Sequence, residues 1–189
     1  MHRATFRGLR WLAAALAAGV LLLPSAGAAA SPTAHTGHGG DRTVRHDVTF
    51  VARLLPHHQT AVQMASIARE DATTPRVRRL AAHIAEEQTR QIAEMRVWLR
   101  QRNAAPMPPP EPVQEMERQD IAMLREADGT EVDRLFLMMM RPHHAQAVAE
   151  AEDELEHGRN GFAVNLARTS KMDQTREIAV MNDLLAGLT

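Results

Sequence analysis

Cysteine is absent from the 189 residues, which excludes disulfides, thiolate metal sites and lipid anchors attached through cysteine. No stretch shows the sustained alternation of apolar and polar residues that is typical of strands. An all-helical protein is therefore expected. A site for a soft metal would have to use histidine and methionine, of which the chain has 10 and 11.

A membrane-length apolar run is also missing. After three arginines, the apolar run 11–23 has 13 residues, fewer than the roughly 20 that span a bilayer. Small residues follow, with Ala-x-Ala cleavage motifs at 26–28 and 28–30. This order predicts a secretory signal peptide at 1–30 and a secreted or envelope-associated protein without stable membrane insertion. An uncleaved N-terminal anchor is the alternative.

Basic residues are too few for a nucleic-acid-binding protein. Cleavage after residue 30 would leave 159 residues, enough for one domain. It would also remove three arginines and leave 19 basic and 23 acidic residues, a net charge of −4. This balance disfavours a nucleic-acid partner. Small and turn-forming residues at 31–43, including His35 and His38, predict a disordered lead-in to a helical domain at 44–188.

An internal repeat organises that domain. Residues 50–99 align with 136–185 at an offset of 86, and 17 of the fifty pairs are identical. The alignment pairs LPHHQTAV with RPHHAQAV, so each segment carries Pro-His-His. It predicts a duplication with repeats at about 47–102 and 130–187, joined by the linker 103–129.

Local signals predict two helices within each repeat. Thr74 is expected to cap a helix that has Pro75 at its first position and runs to about Arg102. In the second repeat, Thr130 to Asp133 resembles a capping box and predicts another helix start.

The linker is expected to contain one short helix. Its proline-rich part, 104–112, cannot be helical throughout, whereas 113–127 reads as a bridging helix. The predicted fold is an all-α four-helix bundle that is built from two duplicated helical hairpins, with this short extra helix in the linker.

Two histidines and two glutamines interrupt the predicted core. His58 and His144 lie in apolar stripes of helical period, and Gln88 and Gln174 interrupt the stripes of the partner helices. A buried polar group without a partner costs about 1 to 3 kcal/mol. We therefore expect hydrogen bonds from His58 to Gln88 and from His144 to Gln174 inside the bundle.

This polar layer has two interpretations. The structural one is a hydrogen-bonded network that fixes helix register. The functional one is a copper site, because thioethers select Cu(I) and imidazole suits both copper oxidation states. The candidate metal ligands are His57, His58, Met64, Met95, Met140, His143, His144 and Met181. Other methionines, namely Met107, Met116 and Met123, are expected to be packing or surface residues.

The two prolines offer a reason for the unusual motif. Pro56 and Pro142 should free the carbonyls of Ala52 and Met138 from helical hydrogen bonding. The resulting bend would tilt the imidazoles that follow toward the bundle axis.

The segments FVARLLPHHQTAVQMA, QTRQIAEMRVWL and FLMMMRPHHAQAVAEAEDEL resemble a widespread bacterial family of ferritin-like domains of unknown function, which includes the periplasmic copper-binding protein CopM. The similarity runs from about residue 47 to 185. It implies a ferritin-like four-helix bundle, an extracytoplasmic location and, in some members, copper binding through His and Met. The family pattern has Met seven residues after the first His in both repeats. Met64 fits this pattern and Glu150 departs from it, which weakens a symmetric two-site arrangement.

Three functions are compared. The leading hypothesis is a secreted, non-enzymatic protein that binds and sequesters copper. The first alternative is a metal-free bundle that acts in protein interaction or envelope stress. The second is a ferritin-like carboxylate oxidase, which needs two Glu-x-x-His motifs, whereas only Glu154-x-x-His157 has that form. A metal ion is the expected partner, and homo-oligomer formation is left open.

Overall fold

Five helices make up the domain. A computed structural model describes residues 38–188, with side chains from residue 44 onward. The helices are α1 (His38–Asp71), α2 (Pro75–Arg100), α3 (Glu111–Glu126), α4 (Thr130–His157) and α5 (Gly161–Ala186). Within this part of the chain, every helix is too short or too polar to cross a bilayer. The all-helical prediction is confirmed.

Most helix boundaries follow the sequence signals. The start of α2 at Pro75 and the start of α4 at Thr130 are as predicted, and α3 begins two residues early, at Glu111. However, α1 begins at His38 rather than near Val44, so a disordered lead-in is wrong for residues 38–43. Two glycines of low helix propensity occur there, and they hide the helix from a local analysis. The predicted signal peptide at 1–30 lies outside the described residues.

The long helices form two hairpins. Helix α1 packs on α2, α4 packs on α5, and α1 also packs against α4 to join the hairpins. Within each hairpin the first helix ends and the second begins at positions 86 residues apart, at Asp71 and His157 and then at Pro75 and Gly161. The short helix α3 contacts α1 and α4.

A buried aspartate from one hairpin caps a helix of the other. Asp133 of α4 is fully buried and its carboxylate accepts hydrogen bonds from the Thr74 backbone N–H at 3.1 Å and from the hydroxyls of Thr73 and Thr74. The Thr74 side chain caps nothing itself, and Asp133 forms no capping box with Thr130, since the N-cap of α4 is Gly129 without a side-chain cap. Thr74 is the N-cap residue of α2, as predicted, although its side chain does not cap the helix. The predicted capping box is wrong, because Asp133 acts between the hairpins instead.

The equivalent aspartate acts at the opposite end. Asp47 of α1 is buried and its Oδ1 accepts from the backbone N–H groups of Arg159 and Asn160, both at 2.9 Å. Asn160 in turn caps α5 by accepting from Phe162 N. The start of α1 therefore lies beside the α4–α5 turn, so α1 and α4 run antiparallel.

The core consists of two apolar clusters with a polar layer between them. One cluster contains 61–68 of α1 together with 132–140 of α4, and the other contains 50–55 of α1 together with 147–151 of α4. Buried polar side chains occupy the intervening turn on all four long helices. They are His57, His58, Gln88, Gln91, His144, Ser170, Gln174 and Glu177.

Candidate metal centre

Two histidines from different hairpins meet at the centre of the polar layer. The rings of His57 on α1 and His143 on α4 are 3.7 Å apart between centroids and are tilted by 31°. All four of their ring nitrogens are buried, and none makes a hydrogen bond of good geometry. Since the buried polar groups of native proteins are nearly always partnered, this cluster requires an explanation.

These imidazoles are held in the neutral form. Burial lowers the pKa of His57 from 6.5 to about 3, and the proximity of His58 and His144 lowers it further, against an opposing interaction with the His143 backbone. Burial likewise holds the pKa of His143 well below its ordinary value. Neutral imidazole is the form that binds metal ions. The rings are thus free of competing protons at neutral pH.

His58 has a different partner from the predicted one. Its Nε2 lies 2.7 Å from Gln91 Oε1, and not against Gln88. Gln91 Nε2 donates to Glu87 at 3.1 Å, which fixes the amide so that its oxygen faces the imidazole. His58 must then donate from Nε2, and its buried Nδ1 keeps a lone pair without a hydrogen-bond partner. Burial lowers the pKa of His58 to about 4, although the Gln91 hydrogen bond opposes the change.

The second repeat places a carboxylate at the same point. His144 Nε2 lies 2.8 Å from Glu177 Oε2, and Glu177 is offset from Gln91 by 86 residues. The predicted pairing of His144 with Gln174 is therefore also wrong, and Gln174 Oε1 is buried without a partner. The carboxylate favours the tautomer with the proton on Nε2. That tautomer leaves the lone pair on the buried Nδ1, as in metal sites where a carboxylate orients a histidine ligand.

The four candidate methionines are all buried. Met95, Met140 and Met181 have no exposed surface, and Met64 is 2 % exposed. Met64, Met140 and Met181 pack in the cluster on one side of the polar layer, and Met95 packs in the cluster on the other side. Burial at these positions suits both apolar packing and thioether ligation. Met107, Met116 and Met123 are exposed, as expected.

A cavity of about 480 Å³ leads from the surface to His57. The linker forms part of its wall with Met107, and Glu150 of α4 lies on another side. The backbone N–H of Met107 donates to Ala52 O at 2.8 Å, which is the carbonyl that Pro56 was predicted to free. Because Pro56 has no N–H to bond the Ala52 carbonyl, this carbonyl can accept from Met107 and hold the linker beside the histidines. This role of Met107 was not predicted from the sequence, where Met107 was expected to be a packing or surface residue.

The core histidines alone do not form a compact three-ligand set. Within the described side chains, the only three His, Asp or Glu residues whose ligand atoms all lie within 4.8 Å of one another are His46, Asp153 and His157. A metal among the core imidazoles would thus need a thioether or a rotation of the rings to complete its coordination.

The residues of the oxidase motif lie away from this layer. Glu154 is fully buried near the end of α4, where burial and the neighbouring Asp47 raise its pKa to about 8. His157 is the last residue of α4, and its side chain is 54 % exposed. Neither residue lines the central cluster, so the arrangement of carboxylates that a di-iron site needs is not formed there.

These features define a helical bundle with a buried, histidine-rich layer at its centre. Residues 47–185 match the family described as Domain of unknown function (DUF305). The chain belongs to the DUF305 family. A comparison with functionally curated proteins finds no match.

Solved structures show the same fold. The chain is 31 % identical to a DUF305 protein from Streptomyces coelicolor, with a TM-score of 0.68, over 76 % of this chain and 93 % of the other. It is 29 % identical to CopM in the Cu(II)-bound form, with a TM-score of 0.68, over 76 % of this chain and 97 % of CopM. For CopM in the Cu(I)-bound form, the identity is 28 % and the TM-score is 0.65, over 75 % and 96 % of the two chains.

Proposed function

We propose that this protein is a secreted or envelope-associated, non-enzymatic protein that binds and sequesters copper in the polar layer of its bundle. The observation that carries the proposal is the contact between His57 and His143. Two buried imidazoles from different hairpins face each other at 3.7 Å, and their nitrogens make no hydrogen bond of good geometry. Nitrogen lone pairs in this condition are available to a metal ion.

The histidines that follow in sequence support the same proposal. His58 and His144 each have Nε2 against an oxygen, from Gln91 and Glu177 respectively. Each therefore keeps its lone pair on Nδ1. A second oxygen partner that fixes the tautomer is a usual feature of metal-ligating histidines.

The donor set favours copper over harder ions. Imidazole nitrogens are combined with buried thioethers at Met64, Met95, Met140 and Met181, and soft thioethers select Cu(I). Met140 precedes His143 and His144 by three and four residues on α4, so it shares a helix face with them. Glu150 replaces methionine at the position equivalent to Met64, which makes the two halves of the layer chemically unequal.

The family relationship supports copper independently. CopM has been solved with Cu(I), with Cu(II) and with silver, and silver is a soft ion that resembles Cu(I). The signal-peptide pattern at 1–30 supports export, where a His and Met ligand set avoids the oxidation of thiolates.

Competition for Cu(I) with a chromophoric chelator tests the proposal. Replacing His57 and His143 together by Leu should weaken Cu(I) binding at least tenfold, about 1.4 kcal/mol, because both facing nitrogens are lost. Leucine is similar in volume to histidine and removes the ring nitrogens that make no hydrogen bond of good geometry, so the fold should be preserved, which circular dichroism would verify.

A matched variant controls for adventitious binding by the histidines at positions 35 and 38. Replacing His35 and His38 by Leu also removes two imidazoles, but from positions at least 19 residues before His57 in the sequence, and should change Cu(I) affinity by less than twofold. If the variant with Leu at 35 and 38 loses Cu(I) binding while the variant with Leu at 57 and 143 keeps it, the polar layer is a structural hydrogen-bond network and the proposed copper site is wrong.

A further inference from the structure

We propose that His46, Asp153 and His157 form a second metal site at one end of the bundle, which takes a divalent transition ion such as Cu(II) or Zn(II). His46 comes from α1, and the other two residues come from the last turns of α4. The ligand atoms of the three side chains all lie within 4.8 Å of one another. The site is separate from the copper site proposed in the polar layer.

The distances fit shared coordination of one ion. His157 Nδ1 lies 3.0 Å from Asp153 Oδ1 and 3.1 Å from the Asp153 backbone oxygen, so in this conformation Nδ1 donates and Nε2 keeps the lone pair. His46 Nε2 lies 3.6 Å from Asp153 Oδ2. Ligands of a tetrahedral zinc ion with bonds of about 2.0 to 2.2 Å are separated by about 3.3 to 3.6 Å. Rotation of these side chains, which for His157 would replace its hydrogen bond to the Asp153 backbone oxygen, would bring the ligand atoms to such separations.

A buried carboxylate extends the donor set. Glu154 has no exposed surface, and its two oxygens make no hydrogen bond of good geometry. Its Oε2 lies 3.2 Å from His46 Nε2, a ring nitrogen that also lacks a well-formed hydrogen bond. Glu154 can orient His46 or supply a further oxygen ligand.

The backbone is adapted to this carboxylate. A Cβ on Gly158 would collide with the Glu154 carboxylate and lie 2.6 Å from its backbone oxygen. The absence of a side chain at the end of α4 thus lets Glu154 fold back beneath His46.

The opposite end of the bundle provides an internal comparison. At an offset of 86, the positions of His46, Asp153 and His157 correspond to Val132, Ile67 and Asp71. The buried Glu154 corresponds to Ala68. Three of these four equivalent positions are apolar, and the fourth, Asp71, is exposed, so closure of a hairpin end does not require the His and Asp set.

Ligand chemistry separates the two sites. Two imidazoles and one or two carboxylates, without a thioether, suit Zn(II) and Cu(II). A cleft of about 320 Å³ beside His46 and Asp153 gives an ion access from solvent. Because the ligands come from α1 and α4, a bound ion would also hold the two hairpins together.

Calorimetric titration with Zn(II) tests the site in a His35→Ala, His38→Ala background, which removes the two histidines of the 31–43 segment. Further replacement of His46 and His157 by Ala should weaken Zn(II) binding at least tenfold. It should also abolish the rise in Tm that Zn(II) causes, since an ion bound only to the folded state stabilises it. Cu(II) electron paramagnetic resonance should lose the nitrogen hyperfine pattern of the same site.

Two controls make the result specific. Replacing the exposed His83 of α2 by Ala should leave Zn(II) affinity and the Tm rise unchanged. The core variant with Leu at 57 and 143 should do the same, so a failure of the copper proposal cannot be mistaken for a failure of this one. If the His46, His157 variant keeps Zn(II) binding, or if His83→Ala weakens it equally, the assignment of the second site is overturned.

Discussion

Acid should destabilise the metal-free protein through its central histidines. Burial lowers the pKa of His57 to about 3 and holds that of His143 well below 6.5, whereas both groups titrate near 6.5 in the unfolded chain. As the pH falls below that value, the unfolded state binds two protons, one at each histidine, whereas both histidines stay unprotonated in the folded state. Their contribution to stability is therefore fully present above pH 6.5 and is lost as the pH falls toward the folded pKa values.

The size of the effect follows from proton linkage. Each group contributes up to about 1.4 kcal/mol per pH unit, so the pair should cost about 3 kcal/mol between about pH 6.5 and about pH 5. That loss is a large share of the roughly 5 to 15 kcal/mol that stabilises a typical domain. Other titrating groups, including Glu154 with its raised pKa, also change stability over this range. The difference in unfolding free energy between wild type and a variant without the two central histidines cancels the contribution of these other groups.

Urea unfolding of chelator-treated protein, followed by circular dichroism, would measure this difference. The variant with Leu at 57 and 143 should gain about 3 kcal/mol relative to wild type when the pH is lowered from about 6.5 to about 5. Parallel pH profiles for the two proteins would refute the reasoning, because they would mean that the imidazoles titrate normally in the folded state.

Three further outcomes are expected. Asp133→Ala should lower the free energy of unfolding by about 3 kcal/mol or more, because Thr73 and Thr74 lose a charged acceptor. Replacing the exposed Asp128 by Ala should change the free energy of unfolding by no more than about 0.5 kcal/mol. Equal stability of the two variants in urea unfolding would contradict this prediction. Glu177→Gln should weaken Cu(I) binding about tenfold by removing the carboxylate beside His144, and unchanged affinity in the chelator competition would count against that role. Chelation should leave far-ultraviolet circular dichroism strongly helical with a cooperative melt, since apolar clusters flank the layer, and a loss of helicity would make metal a folding cofactor instead.

The fold was largely predictable because its signals are periodic or local. Apolar spacing correctly placed His58 and His144 in the core, and Pro75 correctly marked the start of α2. The contact of Asp133 with the other hairpin was not predictable. Asp133 bonds to residues about 60 positions away, and a local pattern cannot distinguish this contact from a cap on its own helix.

The polar partners were wrong for a related reason. Gln88 and Gln91 are one turn apart on α2, and both are buried. Periodicity identifies the face that they share, but it does not say which of the two meets His58. The contact of His58 with Gln91 rather than Gln88 depends on how far α1 and α2 are shifted along each other.

The proposed second metal site of His46, Asp153 and His157 was not predicted from the sequence because its residues are distant from one another in the chain. His46 is more than 100 residues from Asp153 and His157, and a single histidine near a helix start carries no signature of its own. The spacing of four residues between Asp153 and His157 was the one available signal, since it places both on the same face of α4.

X-ray absorption spectroscopy of the purified protein, loaded with one equivalent of Cu(I), tests the central claim most directly. Copper in the polar layer should give imidazole scattering together with a sulfur shell from methionine, and the imidazole scattering should fall markedly when His57 and His143 are replaced by Leu. A copper environment that is the same in wild type and in this variant would contradict the account, because the ion would then be bound outside the polar layer.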